Sequence, residues 1–248
     1  TCLQQAGEAV CDYLNSMETS LSNIRAGINE DVKMTVSEIN SYSEQIAALN
    51  QQIQKAQVAG TDASDLEDQR NLLIDELSAL VNIEVTETAA GTAVTGKEVT
   101  TLSISIDGGT LVNGGNYRTL ECNEVTGATS VENGMYEVVW SDTQSAVAPE
   151  SGQLGALLEL RDGTGEDEDC KGVVYYMNQL DEYAQTLAEA FNEGTAGYSG
   201  HADGYDSDGA TGICFFTYSG VDSDTLENNA DGYAAITAAN ISLSFEVQ

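Results

Sequence analysis

From Val10 the apolar positions advance in alternating steps of four and three, through Leu14, Met17, Leu21, Ile24 and Ile28, the spacing of a packed helical seam. Two steps of four follow, to Val32 and Val36, before Ile39, Tyr42, Ile46, Leu49, Ile53 and Ala56 restore the alternation. Such a slip is a stutter, which unwinds a supercoil locally without ending the helix. Gly27 weakens this stretch by about 1 kcal/mol relative to alanine and does not break it. The single proline is Pro149, so one helix from about Leu3 to Gln57 is predicted, roughly 80 Å long at 1.5 Å per residue.

A helix of that length needs a partner for its seam. After a turn at Gly60, Ser64 and Glu67 read as a capping box, and Leu66, Leu73, Leu77 and Leu80 repeat at helical spacing, which predicts an antiparallel helical hairpin. The period then changes to two: Ile83 and Val85, then Leu102, Ile104 and Ile106, each separated by a polar residue, predict strands. Asp107-Gly108-Gly109 is a hairpin turn leading into Leu111-Val112, and a further strand is expected near Tyr136 to Trp140. Helical period returns at Leu154, Leu157 and Leu158, and again from Val173 through Met177, Leu180, Ala184, Leu187 and Phe191; a last strand is read at Ile241 to Val247. The fold class is thus α+β, a long antiparallel helical rod with an inserted β-rich domain. By element type the rod takes residues 1–82 and 152–192, and the β-rich domain 83–151 and 205–248.

Charge narrows the partners. Eight Lys and Arg against 41 Asp and Glu give a formal net charge of −33, which repels nucleic-acid phosphates and anionic headgroups. Neither nucleic acid nor a membrane is expected as a partner, and no apolar run reaches the 18 residues that a membrane helix needs. Cys2, Cys11, Cys122, Cys170 and Cys214 contain no CxxC pair, and Cys2 and Cys11 lie too far apart along one helix to be bridged. Thr1 in place of Met, and a stop at Gln248 just after an alternating segment, read as the ends of a fragment or a processed chain.

Candidate chemistry is sparse. Asp203-Gly204-Tyr205-Asp206-Ser207-Asp208-Gly209 gathers carboxylates and glycines as calcium loops do. Asp206 and Asp208 keep the alternation of such a loop, but Gly204 stands in its first slot and no bidentate Glu follows, so a Gly/Asp turn is the expected reading. His201 is the sole histidine and sits in Gly200-His201-Ala202 without a nucleophile elbow elsewhere. Aromatic residues make up 6% of the chain, with Trp140 its one tryptophan, too few to line a sugar cleft around a carboxylate pair. Catalytic, cofactor-binding and metal-ligating residues are therefore expected to be none, and no cofactor is expected.

One segment carries more specific information. Residues Ile39-Asn40-Ser41-Tyr42-Ser43-Glu44-Gln45-Ile46-Ala47-Ala48-Leu49-Asn50-Gln51-Gln52-Ile53 resemble the flagellar hook-associated protein type 1 family. The likeness continues through Asp65-Leu66-Glu67-Asp68-Gln69-Arg70-Asn71-Leu72-Leu73-Ile74-Asp75-Glu76-Leu77, Gly109-Thr110-Leu111-Val112 and Ser151-Gly152-Gln153-Leu154-Gly155-Ala156-Leu157-Leu158-Glu159-Leu160-Arg161-Asp162. It resumes at Leu180-Asp181, Phe191-Asn192, Gly204-Tyr205-Asp206-Ser207-Asp208-Gly209 and Phe215-Phe216.

The resemblance implies an axial protein exported through the flagellar channel, not an enzyme, whose partners are the hook protein, the second junction protein, copies of itself and the export machinery. It also implies terminal helical segments that this chain does not include, so the chain alone is expected to be monomeric, with its seam satisfied internally. Alternatives are a related axial protein, such as the type 3 junction protein or a flagellin, and, from different classes, a coiled-coil surface adhesin or an acidic calcium-binding module. Flanking sequence separates them: further amphipathic helix for an axial protein, a signal peptide and anchor for an adhesin.

Overall fold

The computed structural model describes residues 2–92, 96, 98–127, 133–166, 170–205, 209 and 211–248. Helix α1 runs Cys2–Ala59 without interruption at Gly27 or at the slip around Val32, as the apolar spacing predicts. A turn at Gly60 leads into α2, Ser64–Leu80.

The capping box does not form. Ala63 occupies the cap position with no side-chain hydrogen bond, and Ser64 is already helical. The Asp62 carboxylate takes its place, accepting both the Ser64 N–H at 3.1 Å and the Ser64 hydroxyl at 2.7 Å. A carboxylate two residues before the helix outcompetes a hydroxyl for an unpaired N–H because its charge strengthens the bond.

Strands β1 (Glu84–Thr92), β2 (Glu98–Ile106), β3 (Gly109–Asn113) and β4 (Asn116–Tyr117) form one antiparallel sheet in that order. The β2–β3 turn puts Asp107 and Gly108 at φ 47° and 70°, the double left-handed geometry whose twist matches a hairpin. Strands β5 (Leu120–Glu124) and β6 (Tyr136–Trp140) make a separate antiparallel pair. Helices α3 (Gly152–Asp162) and α4 (Val173–Glu193) follow, then the short hairpin β7–β8 (Gly194–Thr195, Tyr198–Ser199), β9 (Phe216–Tyr218), α5 (Ser223–Glu227), a 3-10 turn at Gly232–Ala235 and β10 (Ile241–Leu243).

The last strand is shorter than the alternation through Val247 suggests. Its partner β9 has three residues, so pairing ends at Leu243 opposite Phe216. Beyond it, Ser244 N–H donates to the Phe215 carbonyl and Phe245 N–H to that of Val221, which turns the chain and leaves Phe245 exposed.

The chain divides into two compact units, residues 26–161 and residues 1–25 with 162–248. A partition by element type cuts across them: residues 205–248 fall with α4 and with α1 as far as Arg25, and the strands of 83–151 fall with the rest of α1. In the 26–161 unit Val32, Val36, Ile39 and Ile46 of α1 join Leu77 and Leu80 of α2, Leu102, Ile104 and Ile106 of β2, Leu111 and Val112 of β3, Trp140 of β6 and Leu154 of α3 in one buried cluster. Helix and sheet bury their apolar faces against each other. In the other unit Cys11 and Leu14 of α1 pack with Ala184 and Ala188 of α4, Phe215, Phe216, Leu226, Ile236, Ile241 and Leu243.

Candidate functional site

Helix α1 carries a series of amides on its inward face in the 26–161 unit. Asn40 accepts the Leu120 N–H at 2.8 Å and donates to the Leu120 carbonyl at 2.9 Å, the pair of bonds that an adjoining strand would otherwise supply. Asn29 accepts the Tyr136 N–H at 2.8 Å, donates to the Gly134 carbonyl at 3.2 Å, and receives Arg161 Nη1 at 2.7 Å. Further along, Asn50 and Gln51 donate to the carbonyls of Gly114 and Gly115, and Gln57 accepts the Thr100 N–H. The sheets have few strands and short edges; side-chain amides finish them. Arg161, buried, adds a bond to the Tyr136 carbonyl at 2.9 Å, and Arg70, also buried, reaches Asn50 Oδ1 at 3.3 Å.

The same device recurs in the other unit. Asn192, fully buried at the end of α4, bonds the backbone of Phe215 and Phe216. Asn15 of α1 donates to the Ala238 carbonyl at 2.7 Å.

The buried face of α1 in this unit is not the one that hydrophobicity alone selects. Cys11 and Arg25 are inside, while Val10, Met17 and Ile24 are 38%, 37% and 53% exposed. The expected seam is therefore offset by one residue at every seventh position as far as Ile28. Cys11 fits against the close-packed β10 region, and Arg25 is held by Asp162 at 2.8 Å. What results is an exposed apolar line, Leu3, Val10, Met17 and Ile24, each seven positions after the last. Beside it Met17, Leu21, Tyr176 and Leu180, with Ser16, Ser20 and Gln179, line an open groove of about 450 Å³ that contains no charged side chain.

The residues singled out for chemistry lie elsewhere. His201 Nδ1 is 2.7 Å from the Ile213 carbonyl, and its ring stacks on Phe191 with centroids 6.3 Å apart; it closes a loop. Asp203 accepts the Gly200 N–H at 3.2 Å, while Asp206, Ser207 and Asp208 lie outside the described residues. Among the described residues no group of three or more His, Cys, Asp and Glu is arranged to hold a metal ion, and no helix is long and apolar enough to cross a membrane. Burial pushes the Cys11 thiol up to about 11 and raises those of Cys122 and Cys214, so these thiols stay protonated and unreactive near neutrality.

Amides that complete sheets from a helix, protonated buried thiols, and apolar surface laid out as a line and a groove are what the fold presents. The sequence pattern of the "Flagellar hook-associated protein FlgK helical domain" matches residues 1–216. The chain belongs to this family.

Its sequence is 30% identical over 234 residues to flagellar hook-associated protein 1 of Bacillus subtilis, covering 90% of this chain and 44% of that protein. The protein of the same name in Salmonella typhimurium is 32% identical over 237 residues, covering 93% and 38%. The solved flagellar hook junction protein FlgK from Burkholderia pseudomallei superposes with a TM-score of 0.62 at 25% identity, over 84% of this chain and 34% of that one. The chain thus spans less than half the length of the relatives it matches.

Proposed function

We propose that this chain is a structural part of the junction between hook and filament of a bacterial flagellum, an exported and extracellular component that holds neighbouring axial proteins by surface packing and catalyses nothing. Its partners are the hook protein, the second junction protein and further copies of itself. The observation that carries this reading is the exposed line Leu3, Val10, Met17 and Ile24 beside the uncharged groove. On a chain with a formal net charge of −33, apolar surface at heptad spacing is what helix-on-helix assembly requires. The family supports the setting.

The test is made in the flagellated host with the full-length protein. Met17→Glu together with Ile24→Glu is expected to leave the isolated protein folded by circular dichroism, to abolish swarming, and to release flagellin into the medium instead of onto hooks. Normal filaments and motility with that double variant would overturn the reading.

A further inference from the structure

Ala238 joins two helices within the unit formed by residues 1–25 and 162–248. Its carbonyl accepts Asn15 Nδ2 of α1 at 2.7 Å, and its N–H donates to Asp181 Oδ1 of α4 at 2.7 Å. Glu18 stands three residues after Asn15, so it projects from the same side of α1. Its Oε2 is sealed from solvent and has no hydrogen-bond partner. A carboxylate oxygen in that position has lost its water without gaining a donor, a state that ionisation makes worse.

Among the described residues no cation acts on Glu18. From α4 the group that acts on Glu18 is the Asp181 carboxylate, while Glu182 and Tyr183 are exposed. The 237–241 turn and β10 supply Thr237, Ala238, Ala239, Asn240, Ile241, Ser242 and Leu243, none of them ionisable near neutral pH.

We propose that Glu18 and Asp181 form a proton-operated latch between α1 and α4, open when both are ionised and closed when one proton is held between them. The proton comes from solvent to Glu18 Oε2. The new hydroxyl donates to the Asp181 carboxylate, which keeps its bond from Ala238, and no other bond breaks. Burial raises both carboxyls above their ordinary range, and Asp181 raises Glu18 further. A carboxyl raised on folding costs stability at any pH where both states are ionised. That cost is relieved as pH falls through the raised value and is gone below the unfolded one, so the latch strengthens the unit in mild acid.

Hydrogen exchange on the 248-residue chain tests this at about pH 7.5 and about pH 5, after correction for intrinsic rates. Residues 11–21 and 177–187 are expected to be protected about threefold or more better at the lower pH, with α2 as the internal control for general relief of charge. Glu18→Gln should show the stronger protection at both values and lose the pH dependence. Glu8→Gln, which removes the same charge from an exposed site on α1, should keep the parent's behaviour. Asp181→Asn, which retains an acceptor for Ala238, should match Glu18→Gln. Weaker protection in Glu18→Gln than in the parent at neutral pH, or an unchanged pH dependence, would overturn the latch.

Discussion

Asn192 stands beside Phe216 where a strand is missing. Its Oδ1 accepts the Phe216 N–H at 3.0 Å, its Nδ2 donates to the Phe216 carbonyl at 2.7 Å, and the same oxygen takes the Phe215 N–H at 2.8 Å. All of these atoms are buried. Asn192→Leu fills a similar volume and leaves two N–H groups and a carbonyl unsatisfied, each worth about 1 to 3 kcal/mol. Urea unfolding should register a loss of roughly 3 kcal/mol or more.

Two glycines of one helix should respond with opposite signs. A Cβ on Gly7 would lie 2.5 Å from Phe215 Cε1 and 2.9 Å from Leu243 Cδ2, whereas one on Gly27 meets nothing within 4 Å. Gly27→Ala is expected to stabilise by about 0.5 to 1 kcal/mol through helix propensity. Gly7→Val should destabilise by about 1 to 3 kcal/mol through overpacking. Thermal melts of the two variants side by side decide it.

Arg161 is a grip that lysine cannot reproduce. One nitrogen bonds both Asn29 Oδ1 and the Tyr136 carbonyl, from a site 5% exposed. A compact ammonium presents its donors from a differently shaped stem than the planar guanidinium, so Arg161→Lys should cost about 1 to 3 kcal/mol in chemical denaturation, the loss expected when buried acceptors are left unsatisfied. An unaltered midpoint would mean that the fork is unnecessary.

Thiol titration with a disulfide reagent should separate the cysteines by position. Cys2 and Cys170 are exposed, and Cys11 and Cys214 buried; the first pair should react at once and the second only on unfolding. Because Cys11 is raised from 9.0 to about 11 in the fold, the unfolded chain loses that proton first. Stability should therefore fall as pH climbs from about 9 to about 11. Cys11→Ala should lessen that fall.

The extent of α1 and α2 was legible in the sequence because four-and-three spacing and the turn at Gly60 are local signals. The paired faces were legible only in part. Val10 and Met17 outrank Cys11 in hydrophobicity, yet Cys11 is the residue that lies against Ile241 and Leu243; which side of a helix is covered depends on chain that arrives more than 200 residues later. The amides were missed for a related reason. Asn29, Asn40 and Asn50 recur at intervals of eleven and ten along one helix, a pattern that poor helix formers acquire only for cause, but their partners Tyr136, Leu120 and Gly114 are backbone groups of distant strands and turns. The expected box at Ser64 failed at closer range, because Asp62 offered a stronger acceptor.

Of the eight basic residues in the chain, Arg25, Arg70 and Arg161 are withdrawn into the interior by folding. The exterior is left with at most five positive side chains among its many carboxylates, close to a one-sign colloid. Copies set side by side would face each other across less than the screening length, about 8 Å at physiological salt, and their condensed cations would be shared between them. Salt in the medium would weaken that mutual repulsion, so the firmness of any array built from this protein becomes a property of the water it stands in as much as of its own contacts.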